Sequence, residues 1–578
     1  MDSLKDMMRR YAAHRMPLIC AVVLTAVSCT AEIAVPVLME EIVNLGILGE
    51  NLECIHTVGL KMLAVVLVIA AAGYGAYMSC ALAGELFGRE LREELYQKIT
   101  TLSVGQVEAL DAGSLIVRLT SDVAVCSSML EGLLQLVLEP VLMLAGGIYM
   151  MWRLSHGFDT VFFSFSALQC VSMVLFIKKM SPLFALLREK SDRLNHDLLG
   201  RLRSLRLMKA YQAEKRECAC FDRGAGELRA AQRALNRWTA LFNPVLMLVV
   251  NCAVAMILYL SGYQARVGGL QPGSVLAAVM YAQQVLLSIV ASGGLFSRLT
   301  EAEISSTRIC EVLAAQPLVT GGGRLLPRGG ADTLTLQGVC FRYGPDRPEV
   351  ISNLELSLKR GSFTAICGSV GCGKTTLARL LGRIYDPTSG CILLNGEDIR
   401  DFCLEDVRRE IAVVERDMDI MEGDITHNIL YGREDIPADC LRRAIEASGA
   451  GEVIGRLPQG GETYALSRGV SLSGGDRQRL SLARALAGSP SVLVMDDCTS
   501  SLDYLTEKKT FHAIRTLYPE LTVVFTTQRV YSTREADLVV CMERSGTAEL
   551  GTAAQLMECS ALFAELCRSQ GGPHGKNE

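Results

Sequence analysis

The chain has 578 residues, 50% of them hydrophobic, with a formal net charge of −5 and a mean hydropathy of +0.28. Its length exceeds one ordinary core, and an acidic balance without a basic face interleaved with aromatics excludes a nucleic-acid partner. The 20 cysteines are scattered without paired CxxC spacing, which argues for small apolar thiols in a reducing compartment over a disulfide or zinc framework.

Charged residues thin out in long apolar blocks before residue 300. An amphipathic basic segment, LKDMMRRYAAHR, leads into the first block without a signal-type cleavage site, which predicts an interfacial helix feeding a retained span. Six blocks approach the length of about 20 apolar residues that a bilayer core demands: Met16–Met39, Met62–Leu82, Leu133–Met151, Val161–Ile177, Pro244–Leu260 and Val275–Phe296. Arg and Lys crowd the two long connections, Gly84–Gly132 and Lys178–Trp238, so the positive-inside rule puts both connections and both termini in the cytoplasm. Polar residues inside spans are costly in lipid unless they face a cavity or another helix, which makes Glu32, Asn251, Gln283 and Gln284 candidates for a substrate pathway.

Helical periodicity continues through FSRLTEAEISSTRICEVLA and breaks at QPLVTGGGRLLPRGG. This predicts an all-α membrane domain over 1–315, a linker over 316–331 and a second domain over 332–578. In the second domain, strand-like runs (SFTAICG, IAVVE, SVLVMD, LTVVFTT) alternate with helical stretches, the pattern of an α/β unit with a largely parallel buried sheet.

Gly368-Ser369-Val370-Gly371-Cys372-Gly373-Lys374-Thr375, followed by Thr376, matches G-x-x-x-x-G-K-[ST] between a strand and a helix, the context that separates a phosphate loop from a Gly-rich turn. Backbone amides and the helix dipole would hold phosphate oxygens, Lys374 would reach the β- and γ-phosphates, and Thr375 would offer a hydroxyl to Mg²⁺. Asp496 closes the apolar strand SVLVM, where a carboxylate would hold the same ion. Between them Leu472-Ser473-Gly474-Gly475-Asp476 opens a helix.

In this order the motifs resemble an ATP-binding cassette half-transporter of the exporter fold, a six-helix transmembrane domain followed by a P-loop nucleotide-binding domain, over almost the whole chain. The resemblance implies ATP and Mg²⁺ as ligands, Tyr343 in FRYG as the adenine-stacking ring, Leu472–Asp476 as the signature that faces the opposite site, and Asp503 as the D-loop aspartate. It also implies a multi-pass protein of a bacterial plasma membrane, with RLTSDV (Arg118–Val123) and Arg201–Tyr211 as the connections that carry motion.

Three positions depart from the pattern. Asp497 stands for the catalytic glutamate, Gln528 for the switch histidine and Arg416, after Glu415, for the Q-loop glutamine. A shorter carboxylate, an amide that takes up no proton at neutral pH and a guanidinium that suits phosphate but repels Mg²⁺ all bear on hydrolysis, while Tyr343, Lys374, Thr375 and Asp496 remain for binding, with Arg416 as a further ATP contact. The expectation is a site that binds ATP and cleaves it slowly, in a heterodimer whose partner owns the intact Glu and His, exporting a small amphipathic molecule, lipid or peptide. No peptidase-like segment precedes the first span, which disfavours cargo-processing peptide export. A homodimer using Asp497 as base, an importer of a metal chelate and an ATP-gated regulatory protein stay open.

Overall fold

The computed structural model describes residues 15–570 except 134–136, 155–157, 266–270, 292–294, 328–332, 417–418, 434 and 466–471. Residues 4–14 of the basic segment before the first span and 134–136 at the start of the expected third span lie outside the described residues. Two compact units result, Met1–Thr100 with Asp111–Ala315, and Thr101–Leu110 with Gln316–Glu578.

The first unit is helical. In chain order the helices are α1 (Arg15–Glu41), α2 (Leu52–Thr101), α3 (Val104–Leu110), α4 (Ala112–Val117), α5 (Val123–Leu133), α6 (Glu139–Leu154), α7 (Phe158–Arg203), α8 (Leu205–Ala210), α9 (Glu214–Ala265), α10 (Pro272–Ala291) and α11 (Leu295–Ala314), of which α3 belongs to the second unit. Among the described residues six helical stretches are long and apolar enough to cross a membrane. The third of them is Ala112–Leu133, ahead of the expected Leu133–Met151. Helices α2, α7 and α9 have 50, 46 and 52 residues. At a rise of 1.5 Å per residue each is about 70–80 Å long, more than twice a bilayer core, so the apolar half spans and the charged half extends beyond it.

Packing in this unit centres on α10. Ala277, Ala278, Tyr281 and Val285 on one helical face are buried against Met151 of α6, Phe162 of α7 and Val250, Ala253 and Ile257 of α9. Tyr281 Oη donates to the Ile33 carbonyl at 2.8 Å, which satisfies a polar group that lipid could not. Near the other end Arg118 and Asp122, both buried, clasp α11: Arg118 reaches the Arg308 carbonyl at 3.0 Å and Glu311 at 2.8 Å, and Ser305 Oγ donates to Asp122 at 2.8 Å. Arg118–Val123 therefore braces helices within the first unit, and the stretch of this connection that belongs to the second unit is Thr101–Leu110. Tyr211 and Leu207, at the turn between α7 and α9, are exposed.

The second unit contains twelve strands among its described residues: β1 (Thr333–Phe341), β2 (Ile351–Lys359), β3 (Phe363–Gly368), β4 (Ser389–Leu394), β5 (Glu397–Asp398), β6 (Ile411–Glu415), β7 (Gly423–Asp424), β8 (Tyr464–Ala465), β9 (Val492–Asp496), β10 (Thr522–Thr526), β11 (Leu538–Met542) and β12 (Ala548–Gly551). The main sheet has order β12-β11-β3-β10-β9-β6, parallel except for β12 at its edge. Every residue of β3, β9 and β10 is buried, as continuous apolar runs in a sheet covered on both faces require. A second, antiparallel sheet, β2-β1-β4-β5, accompanies it. Its strands alternate buried and open residues, the period-2 pattern of one covered face.

The segment expected as a linker over 316–331 is instead packed on this unit as far as it is described. Fully buried Arg383 donates to the carbonyls of Thr320, Ile399 and Phe402, and Arg324 bridges to Phe402. A guanidinium with five fixed donors satisfies several loop carbonyls at once, which is why a Gly/Pro-rich stretch is held here. The compact unit accordingly begins at Gln316, ahead of the expected boundary at 332.

Candidate functional site

The site forms where β3, β6, β9 and β10 end together, because a parallel sheet delivers all its carboxyl ends to one edge. After β3 the chain turns through residues 369–373 into helix α12 (Lys374–Leu381). Gly368 has φ +147° and a Cβ there would lie 2.4 Å from the Met542 carbonyl, so only glycine lets the loop leave the sheet. Gly373, at φ +101°, turns the chain into α12 and presents its first amides to the loop. Lys374 Nζ lies across the loop, 3.0 Å from the Gly368 carbonyl and 2.9 Å from that of Ser369.

Register places Asp496 at the end of β9 beside Thr526 of β10 and Glu415 of β6. Asp496 Oδ1 accepts from Thr526 Oγ1 at 2.8 Å and from Thr375 Oγ1 at 3.1 Å. A hydroxyl and a buried carboxylate converging at that distance are hard oxygen donors suited to Mg²⁺, so the residues fit the ion that the sequence implies. Asp497 takes φ +50°, with its amide on Thr526 Oγ1 at 2.9 Å. Its carboxylate faces Arg416, whose Nη1 lies 3.3 Å from Oδ2. Burial pushes the Asp497 carboxyl above the usual carboxylate range, and Arg416 pulls against that shift. Lys374, Thr375, Arg416, Asp496, Asp497 and Gln528 all line one cavity of about 280 Å³.

Tyr343 is half exposed and its hydroxyl is 2.9 Å from Thr376 Oγ1 on α12, with Phe341 and Tyr385 packed edge-on at 5.0 and 5.5 Å. Helix α13 (Gly474–Ala487) starts from the signature, capped by Ser473 in a reciprocal box with Asp476. Ser473 Oγ donates to Asp476 Oδ2 at 2.6 Å and Arg456 holds the other oxygen at 2.8 Å. Burial opposes ionisation of Asp476, but the Ser473 bonds and Arg456 outweigh it and hold the carboxyl below its ordinary value. Asp503 caps helix α14 (Tyr504–Leu517), accepting from the amide and hydroxyl of Thr506. In the first unit Gln284 Nε2 lies 3.5 Å from Glu32 Oε2, whereas Asn251 and Gln283 are exposed.

Sequence reasoning missed a group at the wall of the cavity, which Arg379 and Glu415 also line. Arg379 of α12 donates to Glu415 at 2.9 Å and pairs with Glu108 of α3 at 3.6 Å, and Tyr385 Oη reaches Glu108 at 3.4 Å. Nothing local in GQVEAL marks Glu108, since its partners lie more than 270 residues away; the one hint was Glu415 beside Arg416.

Residues 18–289 match the family model described as ABC transporter transmembrane region, and 351–500 match the one described as ABC transporter. The chain belongs to the ABC transporter family. Its members are ATP-hydrolysing transporters of the membrane that work as dimers, and this ABC half-transporter fuses both domains on one chain. It is 31% identical to the uncharacterized ABC transporter ATP-binding protein YfiB of Bacillus subtilis (strain 168), over 96% of each chain. It is 29% identical to an ATP-dependent lipid A-core flippase of Chromobacterium violaceum, over 94% of this chain and 92% of that one. A solved structure of a bacterial Atm1-family ABC exporter with ATP bound superposes with a TM-score of 0.81 at 24% identity, covering 98% of this chain and 100% of the other, and shares its fold.

Proposed function

We propose that this ABC half-transporter is the hydrolysis-impaired half of a heterodimeric exporter, holding ATP at its own phosphate loop and lending its signature to a partner with an intact Glu and His. The observation that carries the reading is the Arg416–Asp497 ion pair. A general base must reach the water it activates, and here the carboxylate at the catalytic position is short and faces a guanidinium. Mg²⁺ bound by Thr375 and Asp496 would screen phosphate charge. Lys374, the loop amides and Tyr343 bind and orient the nucleotide, Gln528 can donate to the terminal phosphate without carrying charge, and Thr526 fixes both aspartates.

The flippase relative and the Glu32–Gln284 pair inside the spans support an amphipathic or lipidic cargo with a polar or cationic part. One observation favours a homodimer instead: burial raises the Asp497 carboxyl, which is the direction a working base needs.

The test uses the full chain in lipid nanodiscs, loaded with radiolabelled ATP and Mg²⁺. Impairment predicts that bound label stays ATP for minutes. Conversion to ADP at the roughly 1–10³ s⁻¹ of ordinary enzymes, abolished by Asp497→Ala, would establish the homodimer.

A further inference from the structure

The geometry points to Arg416 as a built-in cation for the terminal phosphate, which lets this site keep ATP when Mg²⁺ is withdrawn; the inference rests on the reading that the site holds ATP. Three cationic side chains line the cavity. Arg379 is committed to Glu415 and Glu108, and Lys374, lying on the loop carbonyls, is the phosphate cation that the loop itself supplies, so Arg416 is an additional one. Arg416 is bonded among the described residues through Nη1 alone, to Asp497, which leaves Nε and Nη2 as donors. Its side chain is 58% exposed, against 20% for Asp497. At that exposure the guanidinium can reorient its remaining donors toward phosphate at little cost while Nη1 stays on Asp497.

A planar fork matches phosphate oxygens bidentately, which neither a glutamine nor an ammonium does. With Nη1 on Asp497 and the other nitrogens on the terminal phosphate, the guanidinium would bridge the two anions. It would then occupy the space that an attacking water needs between base and phosphorus, so one residue strengthens binding and obstructs cleavage. ADP lacks the phosphate that Arg416 would hold, so preference for ATP over ADP follows from the same contact.

The experiment measures binding of radiolabelled ATP and ADP to the full chain in nanodiscs by equilibrium dialysis, with excess Mg²⁺ or excess chelator. Wild type should lose less than about threefold in ATP affinity on chelation, and Arg416→Gln at least about tenfold, the loss expected for one charge-assisted hydrogen bond. Asp497→Asn removes the second anion that the bridging guanidinium serves, which leaves all of its donors to the phosphate, and should raise ATP affinity in chelator. Equal large losses for wild type and Arg416→Gln, or a fall in affinity for Asp497→Asn, would overturn the role of Arg416. ADP formation in the Mg²⁺ arm is scored separately. Rapid cleavage with chelator-resistant binding refutes impairment and the obstruction by Arg416 while keeping its contact with phosphate, whereas intact ATP that is lost equally from both proteins on chelation refutes Arg416 and keeps impairment.

Discussion

Restoring the catalytic glutamate alone should fail to revive hydrolysis at this site. Asp497→Glu lengthens the side chain by one methylene, but Arg416 lies 3.3 Å from the present carboxylate and, being mostly exposed, can follow the longer one. A well-placed general base contributes about 10²–10⁴-fold, and a base held by a guanidinium delivers little of that. Asp497→Glu by itself should change steady-state turnover of the full chain by less than about threefold. Combined with Arg416→Gln, which frees the carboxylate and restores the amide of the family pattern, it should raise turnover by at least about tenfold. The assay is phosphate release in nanodiscs at saturating ATP and Mg²⁺, with Lys374→Ala as background. Recovery by Asp497→Glu alone equal to that of the double variant would refute the argument that the ion pair blocks the base.

Asp476→Ala should lower the melting midpoint of the full chain by about 2–4 °C at neutral pH, since losing the carboxylate's half of the capping box and its contact with Arg456 costs about 1 kcal/mol. Because the folded carboxyl titrates below its ordinary 3.8, its stabilisation is present above that pH and is lost as pH falls through the lower folded value, so the midpoints should converge in acid. Arg383→Met removes a fully buried partner of three backbone carbonyls and should cost about 3 kcal/mol, read as loss of the thermal transition stabilised by ATP. Glu32→Gln should reduce transport of a cationic amphipathic dye into inverted vesicles while leaving ATP binding unchanged; unchanged transport removes Glu32 from the pathway.

Motifs with fixed spacing were legible because each couples sequence to one backbone geometry. The phosphate loop, the strand ending at Asp496 and the cap at Ser473 all lie where local pattern puts them, and register then brings Thr375, Asp496 and Thr526 together. Apolar length likewise marked five of the six long apolar stretches, the third falling at Ala112–Leu133 and not Leu133–Met151, and three helices run far past a bilayer because charged helical sequence carries no stop signal. What stayed hidden was long-range. Glycine and proline in 316–331 read as a linker, yet one buried arginine 60 residues on holds that stretch in place. Glu108 reads as a solvated helix charge until the fold brings Arg379 and Tyr385 to it. The Arg416–Asp497 pair was legible as two separate departures, but their contact needed the adjacent ends of β6 and β9.

The central claim, that this chain binds ATP while a partner cleaves it, is tested most directly by steady-state ATPase activity of the complex purified from its native membrane through a tag on this chain. Substituting the partner's catalytic glutamate should abolish turnover, and Asp497→Ala should leave most of it. Turnover that survives the partner's substitution and is abolished by Asp497→Ala would contradict the account and make Asp497 the working base.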